Sequence, residues 1–551
     1  MKLKLFFLFL FSLCIEHLTF NITYATVRFV SKTGTSTFPF TNWATAADSI
    51  QKCINICVDG DTIYVANGIY KENLVINTAI SLIGSSMDST VIDGTGMSDR
   101  SIRFFADGSI ENFDVRGKEL IPLTDVISVV SKNLIVKNCK VSNAANCILT
   151  TGSTAEIKNC LITKTLYGIG GDCYSGNCNQ YFNNNLLIFN NSGATGIYLN
   201  IGGTYFLDNN ILIYNNEFES ARNGISCGWP KKVYIRNNLI SGFLDNIFFD
   251  IIEDSAFIEN NLITYKPNLN NTYGINTEHD YVIIKNNILS NNKNSAIRGF
   301  PPFVQLDYNL FWNNQNDLYG LTYGDSDIIA DPMFVNDTIP TANGNYDFHL
   351  QKYSPAIDKG DPSILDVDGS RSDIGMFGGT LGDSYTYLDL APKPPRNLTA
   401  TMDSGLVHLK WNKNTEADLF RYRVYRDTVP DFIYDTTKII AVLSDTTFYD
   451  DPPQKFISGN YYYKITGIDS AYNQSPASEE AHINITGIPE APPIVVEHYN
   501  LLQNYPNPFN PSTTIPYRLK APGYVKVMVY NLLGEQVKVL VNKYQSAGYY
   551  E

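Results

Sequence analysis

The 551-residue sequence is short of charge, with only 17% of its residues ionisable, and it has no Lys/Arg run longer than Lys231 and Lys232. With 41 Lys+Arg against 55 Asp+Glu, for a net charge of -14, it supplies no basic patch to neutralise phosphates, which argues against nucleic acid as a partner. Beyond the N-terminus no stretch reaches roughly 18 consecutive apolar residues, so no transmembrane segment is expected. The Cys/His spacing of zinc sites is missing as well. What is abundant is Tyr (36), Phe (30) and Gly (38), which favours many short strands and turns over a helical protein. At roughly 100–200 residues per domain, the length corresponds to about three domains.

The first residues combine Lys2 and Lys4, an apolar run over 5–15 and the small-residue exit Thr23-Tyr24-Ala25. That is the layout of a secretory signal, too short to span a bilayer, with the mature chain starting near Thr26. Cys14 follows Leu13 rather than a small residue, so a lipoprotein anchor is not expected.

A pattern of aliphatic, x, Asn, Asn or Cys, x, aliphatic occurs at Asn138-Cys139 and Asn159-Cys160. It returns at Asn184-Asn185, Asn209-Asn210, Asn237-Asn238, Asn260-Asn261 and Asn286-Asn287, and in degraded form at Tyr308-Asn309. The period, roughly 21–28 residues, is that of a solenoid. A second pattern, a small residue followed by Ile, runs in phase at Cys147-Ile148, Gly168-Ile169, Gly196-Ile197, Gly224-Ile225, Asn246-Ile247, Gly274-Ile275 and Ala296-Ile297. Two strands per period are thereby located, and a third fits between them. One such repeat cannot bury its apolar face alone; coils stacked about 4.8 Å apart bury a continuous column of Ile, Leu and Val. The Asn pairs fall at a turn, where Asn tolerates the left-handed conformation and its amide can bond its counterpart one coil on. This ladder outweighs ligand binding as the reason for so many asparagines. At the front, Ile50, Cys53, Ile54 and Cys57 are spaced for an amphipathic helix over 46–57.

From that helix through Ile63 and Ile69, the sequence resembles the N-terminal cap and first coil of pectin-lyase-like right-handed parallel β-helix proteins. The resemblance extends over roughly 27–379 and includes Ser354-Pro355-Ala356-Ile357-Asp358 and Asp366-Val367-Asp368-Gly369-Ser370-Arg371-Ser372-Asp373, which look like a C-terminal closing region. It implies the fold and not the activity, since this architecture hosts lyases, hydrolases, esterases and inert adhesins. A Pro-rich linker at 391–395 precedes strands at β-sandwich spacing, and Trp411 with Tyr461 and Tyr463 resembles the core of a fibronectin type III module, ordinarily a spacer. Asn504, Pro506, Asn507, Pro508, Phe509, Asn510 and Pro511, with Val525-Lys526-Val527-Met528-Val529-Tyr530, closely resemble the C-terminal sorting domain of type IX secretion substrates. That resemblance implies the type IX secretion machinery as a partner and a secreted or outer-surface location. The family normally runs a further strand or two beyond the equivalent of Glu551, so a fragment or a defective signal is expected. The expected organisation is all-β: signal peptide 1–25, parallel β-helix 26–390, fibronectin type III-like sandwich 391–487, linker 488–499 and sorting domain 500–551.

In an exported protein Cys173 and Cys178, close together in a loop, are the one pair expected to bridge, while Cys139 and Cys160 read as stacked buried thiols. If the Ile of each small–Ile pair points inward, residues one and three places later point outward in rows. Asp250 and Glu278 then lie one coil apart with Arg298 beside them, a catalytic set for glycoside hydrolysis or for cation-assisted elimination. Tyr198, Asn200, Phe248, Asn276 and His279 are the accompanying substrate-binding candidates. The plain alternative, solvated residues such as every strand carries, outweighs catalysis, and no catalytic motif of the established polysaccharide lyase or pectin esterase families falls on these positions. Asp366, Asp368 and Asp373 have a spacing open to Ca²⁺, with a tight turn built on Asp–Arg pairing the favoured reading. Nearly all the negative charge falls on the β-helix, which favours a neutral polysaccharide as the partner. The expected function is recognition, and with it processing, of that polysaccharide; the alternative is a non-catalytic adhesin or surface spacer.

Overall fold

The computed structural model describes residues 25–551, apart from 98–99, 119–124, 131, 153, 175–177, 216–220, 265–271, 278–280, 339, 342–343, 404–405, 445, 452–457, 487–497 and 510. The expected signal segment up to Tyr24, Glu278, His279 and Asn510 therefore lie outside the described residues. Two compact units are present, one of residues up to Leu390 with Thr415–Asp418 and one of the remainder. Both expected trailing modules fall in the second.

The first unit is a parallel β-solenoid. One set of strands stacks into a twelve-stranded sheet running from Val27–Val30 to Val304–Asp307, and the other strands of each coil make up a 21-stranded sheet. Register is kept from coil to coil. Val136, Ile157, Phe182, Leu207, Ile235, Ile258 and Ile284 pair in succession and are all fully buried. A second inward column runs from Ile127 through Ile148, Ile169, Ile197, Ile225, Ile247 and Ile275 to Ile297. Each such side chain contributes roughly 1.5–3 kcal/mol through removal from water, available only because the next coil covers it.

The Asn pairs divide their labour. The first member of each, Asn138, Asn159, Asn184, Asn209, Asn237, Asn260 and Asn286, has φ between 52° and 59° and makes the turn. The second member points inward and builds the ladder. Asn185 Nδ2 donates to Asn210 Oδ1 at 3.0 Å, Asn210 to Asn238 at 3.0 Å, Asn238 to Asn261 at 2.9 Å, Asn261 to Asn287 at 2.9 Å and Asn287 to Asn309 at 3.0 Å. Asp327 ends it, accepting from Asn309 at 3.1 Å. Cys139 and Cys160 take the ladder position in earlier coils as buried thiols, and burial pushes Cys160 up to about 12.

The cap helix is shorter than its spacing predicts, covering only Ile50–Ile54. Ala47 is drawn into a parallel bridge with Val30, and the Ser49 side chain accepts from the Lys52 amide, which fixes the start of the helix there. At the far end an antiparallel pair, Phe334–Asn336 with Asp347–Leu350, lies over the outside of the solenoid. Phe334, Phe348, Leu350 and Ile374 there cover Leu239, Leu262, Ile288 and Leu310.

In the second unit a three-stranded and a four-stranded antiparallel sheet enclose Trp411, Tyr422, Val424, Tyr463 and Ile465, with Trp411 edge-on to Tyr422 at 5.4 Å. The C-terminal part forms a three-stranded sheet and a hairpin, Gly523–Tyr530 with Gln536–Gln545. Within the expected sorting motif, Asn504 Nδ2 donates to Thr513 Oγ1 at 3.0 Å and Phe509 is exposed. Among the described residues no helix is long and apolar enough to cross a membrane.

Candidate functional site

The outer face of the small–Ile strands carries the rows that alternation predicts. Tyr198, Ser226, Phe248, Asn276 and Arg298 pair in order, and Tyr319 follows Arg298. In the other row Thr151 faces Asp172, while Asn200 and Asp250 are exposed further along. The expected carboxylate pair cannot be placed, because Glu278 and its neighbour His279 lie outside the described residues. Among the described residues Arg298 bonds Asn276, and Asn276 bonds the carboxylate of Asp245.

Asp245 belongs to a row that strict alternation turns inward. Asp125 pairs with Asn146, Asn146 with Tyr167 and Tyr167 with Thr195; Asn223 pairs with Asp245 and Asp245 with Tyr273, each residue two places before an inward Ile. The small residue between them is buried together with the Ile. At Gly168 a Cβ would lie 2.4 Å from the Gly196 carbonyl oxygen and 2.7 Å from Leu187 Cδ2. Two successive inward residues shift the phase of the strand, and the residue before them is only partly buried at Asn146, Tyr167, Asn223, Asp245 and Tyr273. The repeated small–Ile pair was the visible signal for this; simple alternation missed it.

A relay results. Arg298 Nη1 donates to Asn276 Oδ1 at 3.1 Å, and Asn276 Nδ2 donates to Asp245 Oδ2 at 3.3 Å. The guanidinium sits 5.7 Å from the centre of the Tyr273 ring. Burial pushes the Asp245 carboxyl up to about 6, against the opposing pull of the Asn276 hydrogen bond and the Arg298 charge. A carboxyl held there exchanges its proton close to neutrality, as a general acid must. Aromatic rings stand around it: Phe248 is half-buried one coil below Asn276, Tyr319 is exposed beside Arg298, and Phe300 meets Tyr319 edge-on at 6.5 Å. Trp229, register partner of Ile201, is 51% exposed and had not been singled out from the sequence.

Several coils below, Tyr198 lies across Gly170, where a Cβ would fall 2.2 Å from Tyr198 Cζ, and it meets Tyr167 edge-on at 5.4 Å. Burial, then the charges of Asp172 and Asp125, push its phenol well above the usual range, so it stays a proton donor. Asp172, 7% exposed, is also raised by burial despite a hydrogen bond from Asn200, and its Oδ1 has no hydrogen-bond partner.

The Asp366, Asp368 and Asp373 oxygens do not gather within 4.8 Å of one another, as a shared cation requires. Asp366 accepts from the Asp373 amide at 3.0 Å, Asp368 from Ser370, and buried Asp373 from the Asp358 amide and the Tyr387 hydroxyl, both at 2.9 Å. The tight turn is present, but Arg371 donates to the Gly360 carbonyl at 2.6 Å rather than to an Asp. These carboxylates shape the closing region because each is taken up by local donors. Cys173 and Cys178 are joined by a disulfide with a Cα–Cα distance of 6.0 Å.

No family model and no curated protein matches the chain. Among solved structures the chain is similar to pectate lyase Pel9A, at 15% identity over 66% of this chain and 99% of that one, with a TM-score of 0.42. It is similar to pectin methylesterase PemA from Erwinia chrysanthemi, at 14% identity over 40% and 79%, TM-score 0.30. An Fn3-like protein from Clostridium thermocellum is similar at 26% identity over 18% and 97%, TM-score 0.15.

Proposed function

We propose that the first unit recognises a neutral polysaccharide along the outer face of its small–Ile strands and cleaves it with Asp245 as proton donor. The observation that carries this reading is the Arg298–Asn276–Asp245 relay, whose carboxyl is raised to about 6 on a face set with Phe248, Phe300 and Tyr319. Aromatic rings offer flat apolar surface to the C–H faces of sugars, and an acid poised near neutrality can protonate a glycosidic oxygen. The net charge of -14 supports a neutral substrate over a polyuronate. In this reading Trp229 is a stacking platform, Tyr198, Asn200 and Asn276 bind hydroxyls, and Asp250 or Glu278 serves as the second carboxylate, with His279 as a further binding residue. The sorting-domain resemblance supports export through type IX secretion and a place outside the cell or on its surface.

The test is a panel of neutral and acidic polysaccharides, reading new reducing ends and bound protein. Asp245→Asn should lower reducing-end release by about 100-fold while keeping binding, and Trp229→Ala should weaken binding. Undiminished release from Asp245→Asn would remove its role as acid. Saturable binding with no product from the unaltered protein favours the adhesin reading, which rests on the same aromatic face.

A further inference from the structure

We infer that the first unit has a second carbohydrate site, distinct from the outer face just described, in the cavity where the closing region stops short of the outer Asn column. This site takes a single ring of a neutral sugar. The cavity measures about 460 Å³, within the range of small-molecule pockets. One wall is the solenoid, with Asn184, Asn209 and Ile211; the other is the closing region, with His349, Phe377 and Asp383.

The strongest indication comes from the outer asparagines themselves. Elsewhere in the column their amides are occupied: Asn159 bonds Asn138 at 3.2 Å, Asn286 bonds Asn260 at 3.2 Å, and Asn237 bonds the carbonyls of Met376 and Gly378 at 3.0 and 2.6 Å. The pattern lapses at Asn184 and Asn209, while Asn237, which also lines the cavity, is taken up by the closing region. The side chains of Asn184 and Asn209 make no hydrogen bond among the described residues, and they stand one coil apart on the cavity wall. Opposite them, His349 is fixed. Its Nδ1 meets Asp347 Oδ1 at 2.6 Å, and its ring stacks on Phe377 at 3.9 Å.

The chemistry of the wall selects the ligand. Asp347 and Asp383 line the cavity with no Lys or Arg among its described lining, which rejects an anion. Amides that both donate and accept, carboxylates that accept, and the apolar Ile211 and Phe377 match a ring of hydroxyls on an apolar frame. Nothing in this arrangement depends on the Asp245 relay.

The test uses the full chain with neutral hexasaccharides of glucose and mannose as probes, read by calorimetry and by the ¹³Cε1 histidine resonances. Binding should move the His349 resonance, identified by its loss in His349→Gln. Asn184→Gly with Asn209→Gly keeps the left-handed turns and deletes both amides; it should weaken binding at this site at least 10-fold, and Leu381→Trp, which fills the cavity, should do the same. Trp229→Ala should leave the His349 response unchanged, so failure of the face and failure of the pocket read out separately. A His349 resonance that no probe moves, or binding at this site that survives both the double Gly variant and Leu381→Trp, would overturn the assignment.

Discussion

The inner Asn column and the outer polar face obey the same repeat, yet one is uniform and the other is not. From Asn185 to Asn309 every coil presents the same side chain to the same neighbour, and each amide is donor below and acceptor above. Across the outer face the equivalent positions read Asp125, Asn146, Tyr167, Thr195, Asn223, Asp245, Tyr273 and Ser295. A buried polar column tolerates only a residue that satisfies itself against a copy of itself, because an unpaired buried amide costs roughly 1–3 kcal/mol. Asn146, Tyr167, Asn223, Asp245 and Tyr273 of that row are only partly buried and keep water as a fallback, so the residues there can differ from coil to coil. Uniformity marks what holds the solenoid, and departure from it marks where chemistry can be placed.

The harshest way to break the inner column is Asn238→Ala. It strands the amide of Asn210 and frees the carbonyls of Leu207 and Arg236, which Asn238 now engages at 2.8 and 2.9 Å. We expect a loss of about 3–5 kcal/mol in urea unfolding of the first unit; a loss under about 1 kcal/mol would deny the ladder its structural role.

Next in size is a pH effect that contrasts Asp245 on the face with Asp373 in the closing region. Burial raises both carboxyls to about 6 from an ordinary 3.8. The folded state then binds these protons more tightly than the unfolded one, so the contribution is complete below about pH 4 and is lost as pH rises to about 6. For Asp373, 2% exposed, the loss is on the order of 2 kcal/mol. Asp373→Asn should flatten the stability profile between pH 4 and 6.5; an unchanged slope would place the titration elsewhere.

A milder change sharpens the outer side of the comparison. Gly170→Ala pushes a methyl into Tyr198 and should weaken polysaccharide binding by roughly 5-fold, about 1 kcal/mol, with little change in unfolding midpoint. The smallest effect belongs to the turn asparagines. Asn159→Gly retains the left-handed conformation at φ 55° and gives up one exposed hydrogen bond, so a cost within about 0.5 kcal/mol is expected by thermal unfolding.

Much of this was legible in the chain. The in-phase Asn and small–Ile patterns located two strands of every coil, and the Ile columns are where they were expected. The outward row from Tyr198 to Arg298 was read in register. Asp245 was not, because alternation has period two and the buried small residue before each Ile breaks it. For Asp366, Asp368 and Asp373 the spacing left a tight turn and Ca²⁺ both open, with the turn favoured, and spacing does not reveal which local amides and hydroxyls donate to those oxygens.

The sequence by itself determined the solenoid, since a short repeat whose apolar face cannot be buried within one coil has stacking as its remaining solution. It also determined which turns are left-handed, a local property of Asn backbone. Only the tertiary structure decided which Asn of each pair turns and which builds the inner ladder, that Asp245 is joined to Arg298 through Asn276, and that the closing region leaves Asn184 and Asn209 open. Those outcomes depend on which side of a strand a residue faces and on what packs against it from more than a hundred residues away, as Gly378 does against Asn237. Local pattern carries neither piece of information.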